Sequence, residues 1–180
     1  MAPNWFIGFP MQVVGLRLPE APRRVRVFAA SDLHVTLGFL GAVQEAEARR
    51  AWEQIPSFAS FRPVTGSFEG VKPLGHPRKP SALAAIVDEG RQEMSEMIAE
   101  ARGPLLAAAG APPDDRMPLP HMTLARVQRR AKSAERREAL RWAEGIDLRG
   151  TPFTAASVAL YTWAIDRQER LFRIVEQHSL

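Results

Sequence analysis

Residues 31–41, SDLHVTLGFLG, and residues 119–127, LPHMTLARV, carry the same tetrapeptide pattern, His-x-Thr-Leu, about half a chain length apart. Side chains on a strand alternate between faces, so a histidine and the threonine two positions later point the same way. His34 and Thr36 therefore share one face, as do His121 and Thr123. On the first strand Val35, Leu37 and Phe39 are expected on the opposite, core-facing side. Gly38 is expected beside His34 and Thr36, where its missing side chain leaves room for a ligand. Two similar halves are implied, each presenting an imidazole next to a hydroxyl.

The aromatic run at 5–9 (WFIGF) reads as a buried first strand. Pro10, Pro19 and Pro22 leave no room for a long helix before the first motif. At 42–55, Ala48, Ala51, Trp52 and Ile55 recur at helical spacing, and Pro56 closes the pattern. A bent strand is expected at 61–71, a Pro-rich cationic loop at 72–80 (KPLGHPRKP), and a short buried strand at 83–87. A helix follows at 91–109, which Gly103-Pro104 should bend or divide before Gly110 stops it. Residues 112–120 read as loop, 121–127 as strand, and 133–144 as a charged helix with Ser133 as its cap and Gly145 beyond its end. The tail offers strands at 153–163 and 170–178, joined by a turn at Asp166-Arg167. Strands outnumber helices and occur in adjacent pairs, so the fold class is α+β. No linker or low-complexity segment divides the chain, and residues 1–180 read as a single domain.

Composition limits the chemistry. The 180 residues contain no cysteine, which removes disulfides, thiolate nucleophiles and cysteine-based zinc sites. The net charge is +4 and the pI about 10.3. That balance favours an anionic partner, and equally serves solubility. No apolar run is long enough to span a bilayer and no leader pattern opens the chain, so a cytoplasmic protein with no membrane partner is expected.

Two histidines with pKa values near neutrality can divide the work of phosphoryl transfer: one takes a proton from the attacking water, the other gives one to the leaving ribose oxygen. The hydroxyls of Thr36 and Thr123 can donate to the non-bridging phosphate oxygens, where charge accumulates in the transition state. The scheme calls for no metal and no cofactor. No third ligand of recognisable spacing accompanies the histidines to make a metal site.

At these residues the chain resembles the two-histidine (2H) phosphoesterase superfamily, and within it the RNA 2',3'-cyclic phosphodiesterases, historically called 2'-5' RNA ligases. Residues 157–161 (SVALY) also resemble that family's penultimate strand. The resemblance implies a bilobal fold: two pseudo-symmetric antiparallel sheets with flanking helices, each lending one His-x-Thr strand to a central cleft. It implies His34 as proton donor, His121 as proton acceptor and a 2'-phosphate product. The partner would be RNA ending in a 2',3'-cyclic phosphate, tRNA-like fragments included, acted on by a monomer. Family members also join RNA ends through a 2'-5' linkage. The Pro-rich stretch before the first motif departs from the family, which usually carries a longer helix there.

Arg126 matches the arginine that follows the family's second motif and is a candidate phosphate ligand. Strict alternation, however, puts it on the face opposite His121 unless the strand bulges or twists. The cations Arg129, Arg130, Lys132, Arg136 and Arg137 either steer RNA or form a solvated helix face. His76 sits in an exposed loop, with phosphate-backbone binding as its functional alternative, and His178 is expected to be uninvolved. Trp5, Phe6 and Phe9 are expected mostly in the core, with base stacking as the alternative. Two other functions fit the motifs: a 2H enzyme for a small cyclic nucleotide or cyclic ADP-ribose phosphate, and a non-catalytic RNA- or nucleotide-binding module.

Overall fold

The computed structural model describes residues 3–76 and 79–180. Among them, nine strands and three α-helices follow in the order β1 (Trp5–Pro10), β2 (Val25–Val27), β3 (His34–Gly41), α1 (Glu45–Trp52), β4 (Val64–His76), β5 (Lys79–Val87), α2 (Arg91–Ala108), β6 (His121–Val127), α3 (Ser133–Glu144), β7 (Pro152–Ala155), β8 (Ser157–Trp163) and β9 (Phe172–Ser179). The strands are hydrogen-bonded in the order β7-β4-β5-β6-β3-β1-β8-β9, and β2 pairs with β6. All the ladders between these strands are antiparallel.

This order has an internal two-fold. Each half is four strands wide, and the innermost strand of each, β3 or β6, begins with a motif histidine. The halves meet where Val35 pairs with Met122. That antiparallel register sets His34 beside Thr123 and Thr36 beside His121. The main core lies behind the sheet: Val35, Leu37, Met122 and Leu124 from the motif strands pack with Met94, Met97 and Leu105 of α2. Behind the outer part of β6, Ala139 and Ala143 of α3 pack on Leu83, Ala125 and Val127.

Several elements differ from the sequence reading for identifiable reasons. The region expected as a Pro-rich loop is instead the far end of the β4–β5 hairpin, where Pro73 pairs with Leu83 and Gly75 with Pro80; Pro77 and Arg78 fall outside the described residues. Pro73 is tolerated because β7 reaches only as far as Ser67 along β4, and Pro80 because the β5–β6 ladder begins at Ala82. Helix α2 is neither divided nor ended at Gly103-Pro104. Both residues are exposed, while Ala101, Leu105 and Leu106 on the other face are buried, and that burial holds the helix together. Ser133 is the first residue of α3; Lys132 is its cap, and its N–H donates to the Glu135 carboxylate at 2.8 Å. The first helix is shorter than expected and a 3-10 turn at Ile55–Ser57 follows it. The stretch expected as one strand near the C-terminus is two, β7 and β8, on opposite sides of the fold.

Candidate active site

Both motif strands carry the same irregularity. On β3, Gly38 pairs with Ile7 and Thr36 with Gly8, so Leu37 is an extra residue opposite the Ile7–Gly8 step. On β6, Ala125 pairs with Leu83 and Thr123 with Ala84, which makes Leu124 the extra residue. A bulge at the motif leucine resets the alternation. Leu37 and Gly38 both turn from the cleft, as do Leu124 and Ala125, and the next side chains, Phe39 and Arg126, come back into it. The histidine-to-arginine parity conflict is thereby resolved: Arg126 lines the cleft with both histidines.

The same bulge corrects two expectations on the first strand. Phe39 is not in the core; it is 55% exposed and lines the cleft. Gly38 provides no space beside a ligand, because a Cβ there would sit 3.6 Å from Leu105 Cδ1 of α2.

The cleft has two arms that share Thr36, Phe39, His121, Thr123 and Arg126. One arm, of about 520 Å³, also contains His34 and is walled by Phe6, Phe28 and Phe172. The other, of about 640 Å³, runs past Arg116 and Leu119 toward Leu74 and Ser81. Thr36 and Thr123 thus stand with the histidines as the strand parity requires.

The two imidazoles are held in matching ways. His34 Nδ1 lies 2.6 Å from the Asp32 carbonyl oxygen, and His121 Nδ1 lies 2.6 Å from the Leu119 carbonyl oxygen. A carbonyl only accepts, so Nδ1 carries the hydrogen in each ring and Nε2 is left with its lone pair. A neutral ring can then take a proton at Nε2, and a protonated ring can give one from the same atom.

Their surroundings differ. His34 packs against the Phe6 ring at 4.5 Å between centroids, Tyr161 at 5.3 Å and Phe172 edge-on at 5.5 Å. By register, the residue of β5 equivalent to Phe6 is Ala82, which faces Arg126 as Phe6 faces Phe39. The cage is therefore one-sided, and His34 is buried whereas His121 is half-buried. Burial lowers the His34 pKa from 6.5 to about 4, against the opposing pull of its hydrogen bond to the Asp32 carbonyl and of the Asp32 carboxylate. Burial also lowers the His121 pKa, aided by the positive charges of Arg126 and Arg116 and opposed by the Leu119 hydrogen bond. Both rings are neutral in the ligand-free protein near pH 7.

Asp32 has a second task. Its carboxylate, buried in the turn before β3, accepts from the Leu171 N–H at 2.8 Å and the Phe172 N–H at 3.0 Å, fixing the start of β9 against His34. Tyr161 is buried beside the cage and its hydroxyl has no partner among the described residues; burial, then the nearby Asp32 carboxylate, pushes its pKa up.

The remaining sequence candidates separate cleanly. Trp5 and Phe9 belong to the core, while Phe6 forms a cleft wall. Arg136 is taken up by the carbonyls of Pro80 and Arg129, each at 3.1 Å. His76 ends β4 and is exposed, next to Gly75 of the second arm but not among the residues lining it, and His178 lies on β9. Asp32, Arg26, Arg167, Tyr161 and Phe172 carry no local signal of a place in the site, whereas Phe6 is a sequence candidate for base stacking. Arg26 reaches the cleft through the pairing of β2 with β6, which sets it directly across from Arg126. Among the described residues no helix is long and apolar enough to cross a membrane, and no cluster of three or more metal-ligating side chains occurs.

A sheet of two pseudo-symmetric halves with one His-x-Thr pair from each facing a shared cleft defines the two-histidine phosphoesterase class. The family model of the 2'-5' RNA ligase superfamily matches residues 13–167, and the chain belongs to that family. Its structure is similar to that of E. coli LigT complexed with 3'-AMP, with a TM-score of 0.68 at 16% identity over 100% of this chain and 99% of the other. A crystal structure described as a phosphoesterase gives 0.69 at 17% identity over the same shares. TT0787 of Thermus thermophilus gives 0.63 at 18% identity over 98% of this chain and 97% of that one. No curated protein sequence matches the chain.

Proposed function

We propose that this protein opens 2',3'-cyclic phosphate ends of RNA and leaves a 2'-phosphate, with His34 and His121 as the acid–base pair. The observation that carries the reading is the matched anchoring of the two imidazoles. Each has its Nδ1–H fixed on the carbonyl two residues back, and both line one cleft with Thr36, Thr123 and Arg126.

In this scheme His121 Nε2 accepts a proton from water as the water oxygen bonds to phosphorus. His34, in its protonated form, gives its Nε2 proton to the departing 3'-oxygen as the P–O3' bond breaks. Thr36, Thr123 and Arg126 donate to the non-bridging oxygens, and Arg126 remains charged throughout. Because the ligand-free cleft favours neutral imidazoles, the donor takes up its proton together with the anionic substrate, whose charge favours the imidazolium. A 5'-hydroxyl attacking in place of water would yield a 2'-5' linkage by the same proton movements.

The test is to incubate the protein with a short RNA ending in a 2',3'-cyclic phosphate and resolve the products against 2'- and 3'-phosphate standards. A 2'-phosphate is expected. A 3'-phosphate, or an intact cyclic end, would overturn the proposal.

A further inference from the structure

Within the arm that contains His34, the cationic side chains exceed what one cyclic phosphate requires. Arg26, Arg126 and Arg167 all line it, and no Asp or Glu side chain is among its lining residues. None of the three guanidiniums has a carboxylate within salt-bridge distance among the described residues, although Arg24, Arg49, Arg91, Arg116 and Arg149 each have one. Three uncompensated cations converging on one concave surface cost electrostatic repulsion, which an anionic ligand relieves.

Their placement is ordered. Arg26 stands directly across from Arg126 on the neighbouring strand, and side chains so paired start about 5 Å apart on the same face. The Arg26 guanidinium also donates to the backbone carbonyl of Arg167, tying β2 to the turn between β8 and β9. The Arg167 guanidinium lies over the Trp163 ring at 4.4 Å, and both residues line the arm. Arg26 thus links the other two, standing across from Arg126 and bonded to the Arg167 backbone.

We infer that Arg26 and Arg167 form a second phosphate subsite, which holds the phosphodiester preceding the terminal nucleotide and so makes an RNA chain, not a cyclic mononucleotide, the preferred substrate. This rests on the proposed opening of cyclic phosphate ends. The terminal cyclic phosphate engages the histidines, threonines and Arg126. The preceding phosphodiester, one nucleotide further out, meets Arg26 and Arg167 and gives them the anionic partner they otherwise lack. The negative charge of that linkage, not the extra nucleoside, is what the subsite reads.

Three substrates separate charge from size: uridine 2',3'-cyclic phosphate, the dinucleotide UpU with a 2',3'-cyclic phosphate end, and the same dinucleotide with a neutral methylphosphonate linkage. The wild-type protein is expected to show kcat/KM at least about tenfold higher for the phosphodiester than for the methylphosphonate dinucleotide, as charge-assisted contacts to one phosphate imply. In the Arg26→Gln/Arg167→Gln double variant that ratio should collapse to about one. Equal rates on the two dinucleotides in the wild type, or a ratio that survives in the double variant, would overturn the inference while leaving the cyclic-phosphate chemistry standing. If none of the three substrates is opened, the reading of the site itself fails, and this inference falls with it.

Discussion

Phe39 and Arg126 occupy equivalent positions in the two halves of the molecule. Each stands five residues after its motif histidine, and each is brought into the cleft by a bulge at the motif leucine, Leu37 or Leu124. The repeat is thus one of backbone geometry as well as of side chains. At the two equivalent positions it supplies different chemistry, an aromatic face and a cation.

Arg126 should therefore behave as a phosphate ligand. Arg126→Ala is expected to lower kcat/KM for a cyclic-phosphate end by roughly tenfold to a hundredfold, the range for losing a charge-assisted hydrogen bond. Arg126→Lys should recover part of the loss. Steady-state kinetics check this, and an Arg126→Ala variant within twofold of wild type would remove Arg126 from the site.

Stability should depend on pH through the buried imidazoles. His34 titrates near 4 in the folded protein and near 6.5 when unfolded, so between those values the unfolded chain binds more protons. Its contribution is fully present above pH 6.5 and is lost as pH falls toward 4, and the lowered His121 acts in the same direction. Thermal melts should show Tm falling from pH 7 to pH 5, with a shallower fall in His34→Gln. A Tm that rises over that interval would contradict the burial of the two imidazoles.

Asp32 should matter to β9 more than to the histidine it precedes. Asp32→Ala keeps the backbone carbonyl that anchors His34 but strands the Leu171 and Phe172 N–H groups, at about 1–3 kcal/mol each. Chemical denaturation should register that loss, and hydrogen exchange should locate it at those two amides. Unchanged exchange there would refute the assignment.

The pH profile of turnover should differ between free and bound protein. Since burial holds both imidazoles below their ordinary pKa, the bell in kcat/KM should centre below pH 6.5. The bell in kcat, which reports the complex, should lie at higher pH, because the bound anion favours the imidazolium. Coincident bells centred above pH 7 would show that the substrate does not shift the pair, whose apparent values belong to the two rings jointly.

What could be read from the sequence, and what could not, follows from the range of the interactions involved. His34, Thr36, His121 and Thr123 were legible because strand alternation is a local rule over three residues. The bulges at Leu37 and Leu124 were not, since an extra residue is defined only against the partner strands β1 and β5. For that reason alternation alone puts Phe39 and Gly38 on the wrong faces and leaves the position of Arg126 open. Arg26 carries no local signal, because its place in the cleft depends on β2 pairing with a strand about a hundred residues away. The prolines at 73 and 80 signal a loop, as prolines do in isolation; what accommodates them is where β7 stops along β4 and where β6 stops along β5.

Leaving-group rescue in the two single variants decides whether the two histidines act as a paired acid and base. His34→Ala and His121→Ala should each lose about a hundredfold to ten-thousandfold on a cyclic-phosphate RNA. A p-nitrophenyl phosphodiester, whose leaving group hardly needs protonation, should restore turnover in His34→Ala and leave His121→Ala impaired. Rescue in His121→Ala alone would reverse the two roles. Two variants that stay active on the RNA, with rescue in neither, would contradict paired acid–base catalysis in this cleft.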